Sequence, residues 1–158
     1  MKTIEINIQN YKKLVIKNIV LDYNGTIAKD GILKKSVKKL LALLSKKYTI
    51  HVITADTFGS VKQELSGFDV KVKVLKSTNH TQEKKDYIKK LGKKSCVAMG
   101  NGNNDALMLK SADLGIAIVG DEGCASQTLM QSDLVCNSIS DALELFVNKK
   151  RLVATLRR

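Results

Sequence analysis

The chain has 158 residues, 44% hydrophobic and 27% charged, with no proline and no tryptophan. That balance predicts one domain, residues 1–158, with its own apolar core, and excludes collagen-like, low-complexity and long disordered classes. A formal net charge of +12 favours anionic partners. A solvated lysine-rich surface accounts for it as well. The lysine runs at 29–47 and 71–94 have no aromatics interleaved at a stacking spacing, so nucleic acid is not an expected partner.

Cys96, Cys124 and Cys136 form no CxxC pair, and His51 and His80 are isolated. Odd thiols in apolar surroundings suit a reducing compartment. No stretch has the roughly 18 apolar residues of a membrane helix. Residues 1–10 lack the apolar run of a signal peptide. A cytoplasmic protein with no membrane partner is expected.

In chain order, residues 3–8 and 13–21 read as strands, joined as a hairpin across "QNYKK". A helix follows from Ser36, with Val37, Leu40, Leu41 and Leu44 on one stripe. Residues 48–54 make a strand, 57–65 a helix, and 68–75 an alternating strand near a sheet edge. Residues 81–91 make a helix closed by Gly92. Then come strand 95–100, helix 103–111, strand 114–118, helix 123–131, strand 133–136 and helix 138–147. Apolar strands alternating with amphipathic helices predict an α/β, three-layer, doubly wound and mostly parallel sheet. In the tail "RLVATLRR", Leu152, Val153 and Leu156 share a face. That face can dock on the sheet or meet another subunit in a homo-oligomer.

Open parallel sheets bind ligands at the carboxyl ends of their strands. Three such ends are polar here: "LDYNGT" (21–26), "ITADT" (53–57) and "MGNGNNDA" (99–106). Asp22 stands at the first, followed by Gly25, which lets backbone N–H groups approach an anion, and by the Thr26 hydroxyl. Such a carboxylate is a metal ligand, a nucleophile toward phosphorus, or the start of an Asx-type turn. Thr54 can donate to a phosphate oxygen or simply end its strand. Asp105 and the asparagines at 101, 103 and 104 offer the oxygen donors that suit Mg²⁺, or they cap a helix. Lys84 or Lys85, near the start of helix 81–91, can grip a phosphoryl group.

These motifs, taken in order over roughly residues 15–147, resemble the haloacid dehalogenase-like hydrolase superfamily. "LDYNGT" resembles its nucleophile motif, Thr54 its second motif, "KKDYIKKLG" its lysine-led helix, and "AMGNGNNDALML" its metal-binding loop. The last two are similar to cation-pumping P-type ATPases, and the whole to small capless soluble P-type ATPase-like phosphatases. The resemblance implies a Rossmann-like core without a cap domain. It implies a Mg²⁺-dependent phosphatase or phosphotransferase working through an aspartyl-phosphate on Asp22. It assigns catalysis to Asp22, Asn24, Thr54 and Lys84. Phosphate contacts fall to Gly25, Thr26, Thr54, Ala55, Lys84 and Asn104, and the metal to Asp22, Asn24, Asn101 and Asp105. The substrate is a phosphorylated small molecule or macromolecule.

Two positions depart from that pattern. Asn24 stands where the phosphatases carry an aspartate that exchanges a proton with the leaving group. Asn101 stands where the loop usually has its metal-binding aspartate. Slow turnover is therefore expected. The alternative is a catalytically weak protein of the same fold that binds a phosphorylated ligand or acts as a regulator.

Overall fold

The computed structural model describes residues 3–56 and 59–158. Its centre is a six-stranded sheet, all parallel, built from β3 (Asn18–Asp22), β6 (Thr49–Thr54), β7 (Val70–Val74), β8 (Cys96–Gly100), β9 (Leu114–Ile118) and β10 (Leu134–Cys136). The strand order is β10-β9-β8-β3-β6-β7. Chain order therefore reverses at the β3–β8 pair, the switch point where doubly wound sheets open a crevice. The tips of these two strands carry Asp22 and the 100–105 loop.

Strand composition sets strand position. In β3, Ile19 and Leu21 join one apolar layer and Val20 joins the other, all fully buried, as a central strand covered on both faces requires. In β7, "VKVKV" is only partly buried, and it is an edge strand as its alternation predicts. One layer packs β3, β6, β8 and β9 against α1 (Lys35–Leu44) and α6 (Ile139–Val147), through Val37, Leu41, Leu143 and Phe146. The other packs Val20, Ile53 and Ala98 against α3 (His80–Leu91) and α4 (Ala106–Ser111), through Ile88, Met108 and Leu109. Two shorter helices are α2 (Ser60–Glu64) and α5 (Ser126–Gln131).

The N-terminal hairpin is present. β1 (Ile4–Ile8) pairs antiparallel with β2 (Lys12–Ile16), and Ile6, Ile8, Leu14 and Ile16 turn to the core. The expected strand 13–21 is in fact two strands. The chain breaks at Lys17, whose N–H and C=O bond Ser95 and Thr49, and β3 then enters the main sheet. A small hairpin, β4 (Ala28–Lys29) with β5 (Ile32–Leu33), lies between β3 and α1. The tail forms α7 (Lys149–Leu156). It docks inside the chain, with Leu152 buried in the first layer, helix contacts to β1 and α6, and an Arg158 N–H bond to the Gln9 carbonyl. The first two residues of the expected helix 57–65 lie outside the described residues. Among the described residues no helix is long and apolar enough to cross a membrane.

Candidate active site

The β3 strand ends at Asp22 because the chain must turn there. The Tyr23 carbonyl accepts from the N–H groups of Thr26, Ile27 and Ala28, which coils residues 23–28 tightly. Gly25 has φ +82°, and a Cβ on it would meet Glu122 Oε2 at 2.6 Å and Asn101 Nδ2 at 2.9 Å. Its conformation favours glycine, and a side chain there would have to displace the Glu122 carboxylate and the Asn101 amide. Across the switch point Gly100 plays a similar part. A side chain there would strike the Asp105 carboxylate packed against the strand tip.

The two tips frame a cavity of about 420 Å³ lined by Asp22, Asn24, Thr54, Ala55, Lys84, Asn101 and Asn104, among others. The Asp22 carboxylate is held on both oxygens. Lys84 Nζ donates to Oδ1 at 2.8 Å and the Thr26 hydroxyl donates to Oδ2 at 3.0 Å. Lys84 is itself buried and divides its three N–H bonds among Asp22, Asp105 Oδ1 at 2.7 Å and Asn104 Oδ1 at 3.0 Å. It is Lys84, not Lys85, that reaches the pocket. Helix α3 begins at His80, which puts Lys84 past the first turn, where an opposing helix dipole has faded.

Thr54 Oγ1 accepts from the Asp56 N–H at 3.1 Å, which leaves its O–H free to donate into the cavity. Asn104 accepts from Lys84 through Oδ1, so its NH₂ likewise remains for a ligand. Thr26 and Asp105 are fully buried behind the cavity wall. Thr26 touches Asp22 rather than open space. Asp105 Oδ2 accepts from the N–H groups of Asn101 and Gly102 at 3.1 and 3.0 Å, so this carboxylate ties the loop down and neutralises the lysine. Asn24 Oδ1 accepts from the Gly31 N–H at 2.9 Å and anchors the β4–β5 turn.

Burial pushes the Asp22 carboxyl up to about 7. The Asp105 charge adds to the rise, and the Lys84 ammonium and Thr26 hydroxyl oppose it. Burial alone would lower the Lys84 ammonium, but the charges of Asp22 and Asp105 outweigh it and the net shift is upward. Two carboxylates thus share one ammonium in a poorly solvated space. A further cation beside Asp22 would restore its ionisation.

Two further carboxylates, Asp56 and Glu122, line the pocket. Asp56 accepts from the Ser60 hydroxyl at 2.7 Å and the Val61 N–H at 3.2 Å, and so holds the start of α2. Glu122 reaches the cavity from a tight turn in which the Gly123 N–H bonds the Gly120 carbonyl at 3.0 Å. "GDEG" (120–123), an acidic pair between glycines just after a strand, is the signal that could have marked it.

Glu83 places α3. Its carboxylate accepts from the N–H groups of Lys76 and Ser77, at 3.0 and 2.8 Å, and bridges the end of β7 to the helix that bears Lys84. Those backbone bonds, first of all Ser77, hold its carboxyl down to about 2.

No family model matches the chain. It is 56% identical over 64 residues to Uncharacterized protein MJ0073 of Methanocaldococcus jannaschii, a match covering 40% of this chain and 69% of that protein. It is 25% identical over 150 residues to Cation-transporting ATPase 5 of Schizosaccharomyces pombe, covering 91% of this chain and 12% of the ATPase. Among solved structures it resembles the 3-deoxy-D-manno-octulosonate 8-phosphate phosphatase of Moraxella catarrhalis, solved with magnesium and phosphate ions. The TM-score is 0.67 at 18% identity, over 90% of this chain and 94% of that one. The chain belongs to one family with MJ0073, and its fold is that of the haloacid dehalogenase-like hydrolases.

Proposed function

We propose that this protein is a phosphatase or phosphotransferase, dependent on Mg²⁺, that carries the phosphoryl group on Asp22. One observation supports this above the rest. A carboxylate at the floor of an open cavity is gripped by a buried lysine, with a free hydroxyl at Thr54 and a free amide at Asn104 facing the same space.

In the reaction, an Asp22 oxygen attacks phosphorus as the bond to the leaving oxygen breaks. Lys84, Thr54 and Asn104 donate to the transferred oxygens, since phosphoryl transfer asks for positioning and charge neutralisation more than covalent assistance. Water then cleaves the acyl phosphate and regenerates Asp22. The residues fit a hard divalent cation, because Asn24 and Asn101 line the same cavity as Asp22 and carry oxygen donors. Asp105 stands just behind them. When bound, Mg²⁺ supplies positive charge against the phosphoryl oxygens. Among the described residues no group of three His, Cys, Asp or Glu side chains is set to hold a metal.

Asn24 cannot exchange a proton, and its side chain is turned to Gly31. The leaving oxygen takes its proton from water, and the second step is slow. The same observation favours the second reading, a phospho-ligand-binding or regulatory protein. The substrate class is a phosphorylated small molecule or a phosphorylated macromolecule, and the free thiols support a cytoplasmic setting. Phosphate release from p-nitrophenyl phosphate with Mg²⁺ separates the readings. Turnover that Asp22→Asn abolishes supports the enzyme. Phosphate binding without release supports the regulator.

A further inference from the structure

We propose that Glu122 supplies the negative charge that Asn101 lacks, so that the cation beside Asp22 is balanced by a carboxylate from the 120–123 turn. This rests on reading the cavity as a cation-dependent phosphoryl-transfer site.

Position is the first argument. Glu122 lines the same cavity as Asp22 and Asn101. A carbon built on Gly25 would lie 2.6 Å from Glu122 Oε2, and 2.9 and 3.1 Å from the two polar atoms of the Asn101 amide. The carboxylate and the amide therefore converge on one face of Gly25, next in the chain to the Asn24 carbonyl.

Availability is the second. Asp22 is engaged by Lys84 and Thr26, Asp105 by Lys84 and two backbone N–H groups, and Asp56 by Ser60 and Val61. Among the described residues Glu122 has no hydrogen bond and no ion pair, in a chain rich in lysine. Its neighbour Asp121 takes Lys34 at 2.8 Å instead. That pair, with the Asn101 Nδ2 bond to the Gly123 carbonyl at 3.2 Å and the Ala125 N–H bond to the Asn101 carbonyl at 2.8 Å, ties the turn to the metal-side loop. The turn is anchored on both sides, and its one uncommitted carboxylate faces the pocket.

Charge is the third. Asp22 and Asp105 against Lys84 leave a single negative charge for a divalent ion. Glu122 adds a second negative charge on the Gly25 side of the cavity, whereas Asp56, which also lines it, is turned to Ser60 and Val61 at the start of α2. Protein-bound Mg²⁺ keeps several of its waters, so a carboxylate on the cavity wall acts through that water shell and need not be a direct ligand.

The test is calorimetric titration of the whole chain with Mn²⁺ and with Mg²⁺, comparing the parent, Glu122→Gln, Asn101→Asp and the double variant. Removing one unit charge from the surroundings of a divalent ion lowers its affinity on the order of tenfold. Glu122→Gln is expected to show that loss with an unchanged melting temperature, since Glu122 is exposed and unpaired. Asn101→Asp in the Glu122→Gln background is expected to bring affinity back to within about threefold of the parent. Equal affinity in the parent and Glu122→Gln overturns the inference, and so does a loss that Asn101→Asp fails to restore. If the parent still releases phosphate in an Asp22-dependent way, only the inference falls. If the parent binds neither ion, the proposed function falls with it.

Discussion

Asp22→Asn removes a charge while keeping the side chain's shape, and the structure predicts that it stabilises the cation-free protein. Burial, then the Asp105 charge, raises the Asp22 carboxyl from 3.8 to about 7, against the pull of Lys84 and Thr26. A raised acid binds its proton more tightly in the folded chain than in the unfolded one. Its ionisation therefore costs the fold nothing below about pH 4, costs more through the window from about 4 to 7, and costs most above it. A shift of about three units sets a ceiling near ~4 kcal/mol. Sharing of charge with Asp105 and Lys84, and partial contact with solvent, reduce the expected effect to about 1–2 kcal/mol. Lys84 keeps Asp105 and Asn104 as partners in the variant, so no buried ammonium is stranded. Urea unfolding in a chelator, repeated from pH 4 to 8, reads the difference. The variant should be the more stable protein at pH 8, and the two should converge near pH 4. Added Mg²⁺ should then stabilise the parent by mass action and close the gap. A variant less stable than the parent at pH 8, or a gap that ignores pH, refutes the reasoning.

Asn24→Asp puts a proton-exchanging group on the cavity wall and should raise steady phosphate release on the order of tenfold or more; unchanged or lower turnover removes position 24 from that role. Glu83→Gln weakens the clamp between β7 and α3 and should lower unfolding stability by about 1 kcal/mol at neutral pH, with turnover falling because Lys84 rides on α3. The Glu83 carboxyl is held low, so its contribution is present above about pH 4.5 and fades as pH falls toward 2. An unfolding midpoint that does not move between parent and variant at pH 7 contradicts this.

The sheet was legible because its strands stop abruptly. "IVL" before Asp22 and "VAM" before Gly100 are apolar on both faces, and polar residues follow at once. Local order thus marked the two strand tips that flank the switch point. Features made by distant contacts were hidden. The break at Lys17 falls in a run that alternates smoothly, and only its bonds to Thr49 and Ser95 show that the hairpin ends there. The β4–β5 strands are two residues each, too short for any period to register. Helix α5 starts at Ser126 rather than 123 because Gly123 closes the turn from Gly120 and the Ala125 N–H is bonded to the Asn101 carbonyl. Lys84 and Lys85 are identical as residue types, and only the rotation of α3 decides that Lys84 meets Asp22 and Asp105. Glu122 lies nearly a hundred residues beyond Gly25, and nothing local says that they touch.

The central claim is that Asp22 accepts a phosphoryl group. Incubating the protein with a small acyl phosphate and Mg²⁺, quenching in acid and mapping the peptides by mass spectrometry tests it directly. The account predicts a phosphoryl group on residue 22 that hydroxylamine removes, that needs the divalent ion and that Asp22→Asn abolishes; slow water attack past Asn24 lets it accumulate. A phosphoryl group on another residue, or none on a folded protein that binds both Mg²⁺ and phosphate, contradicts the account.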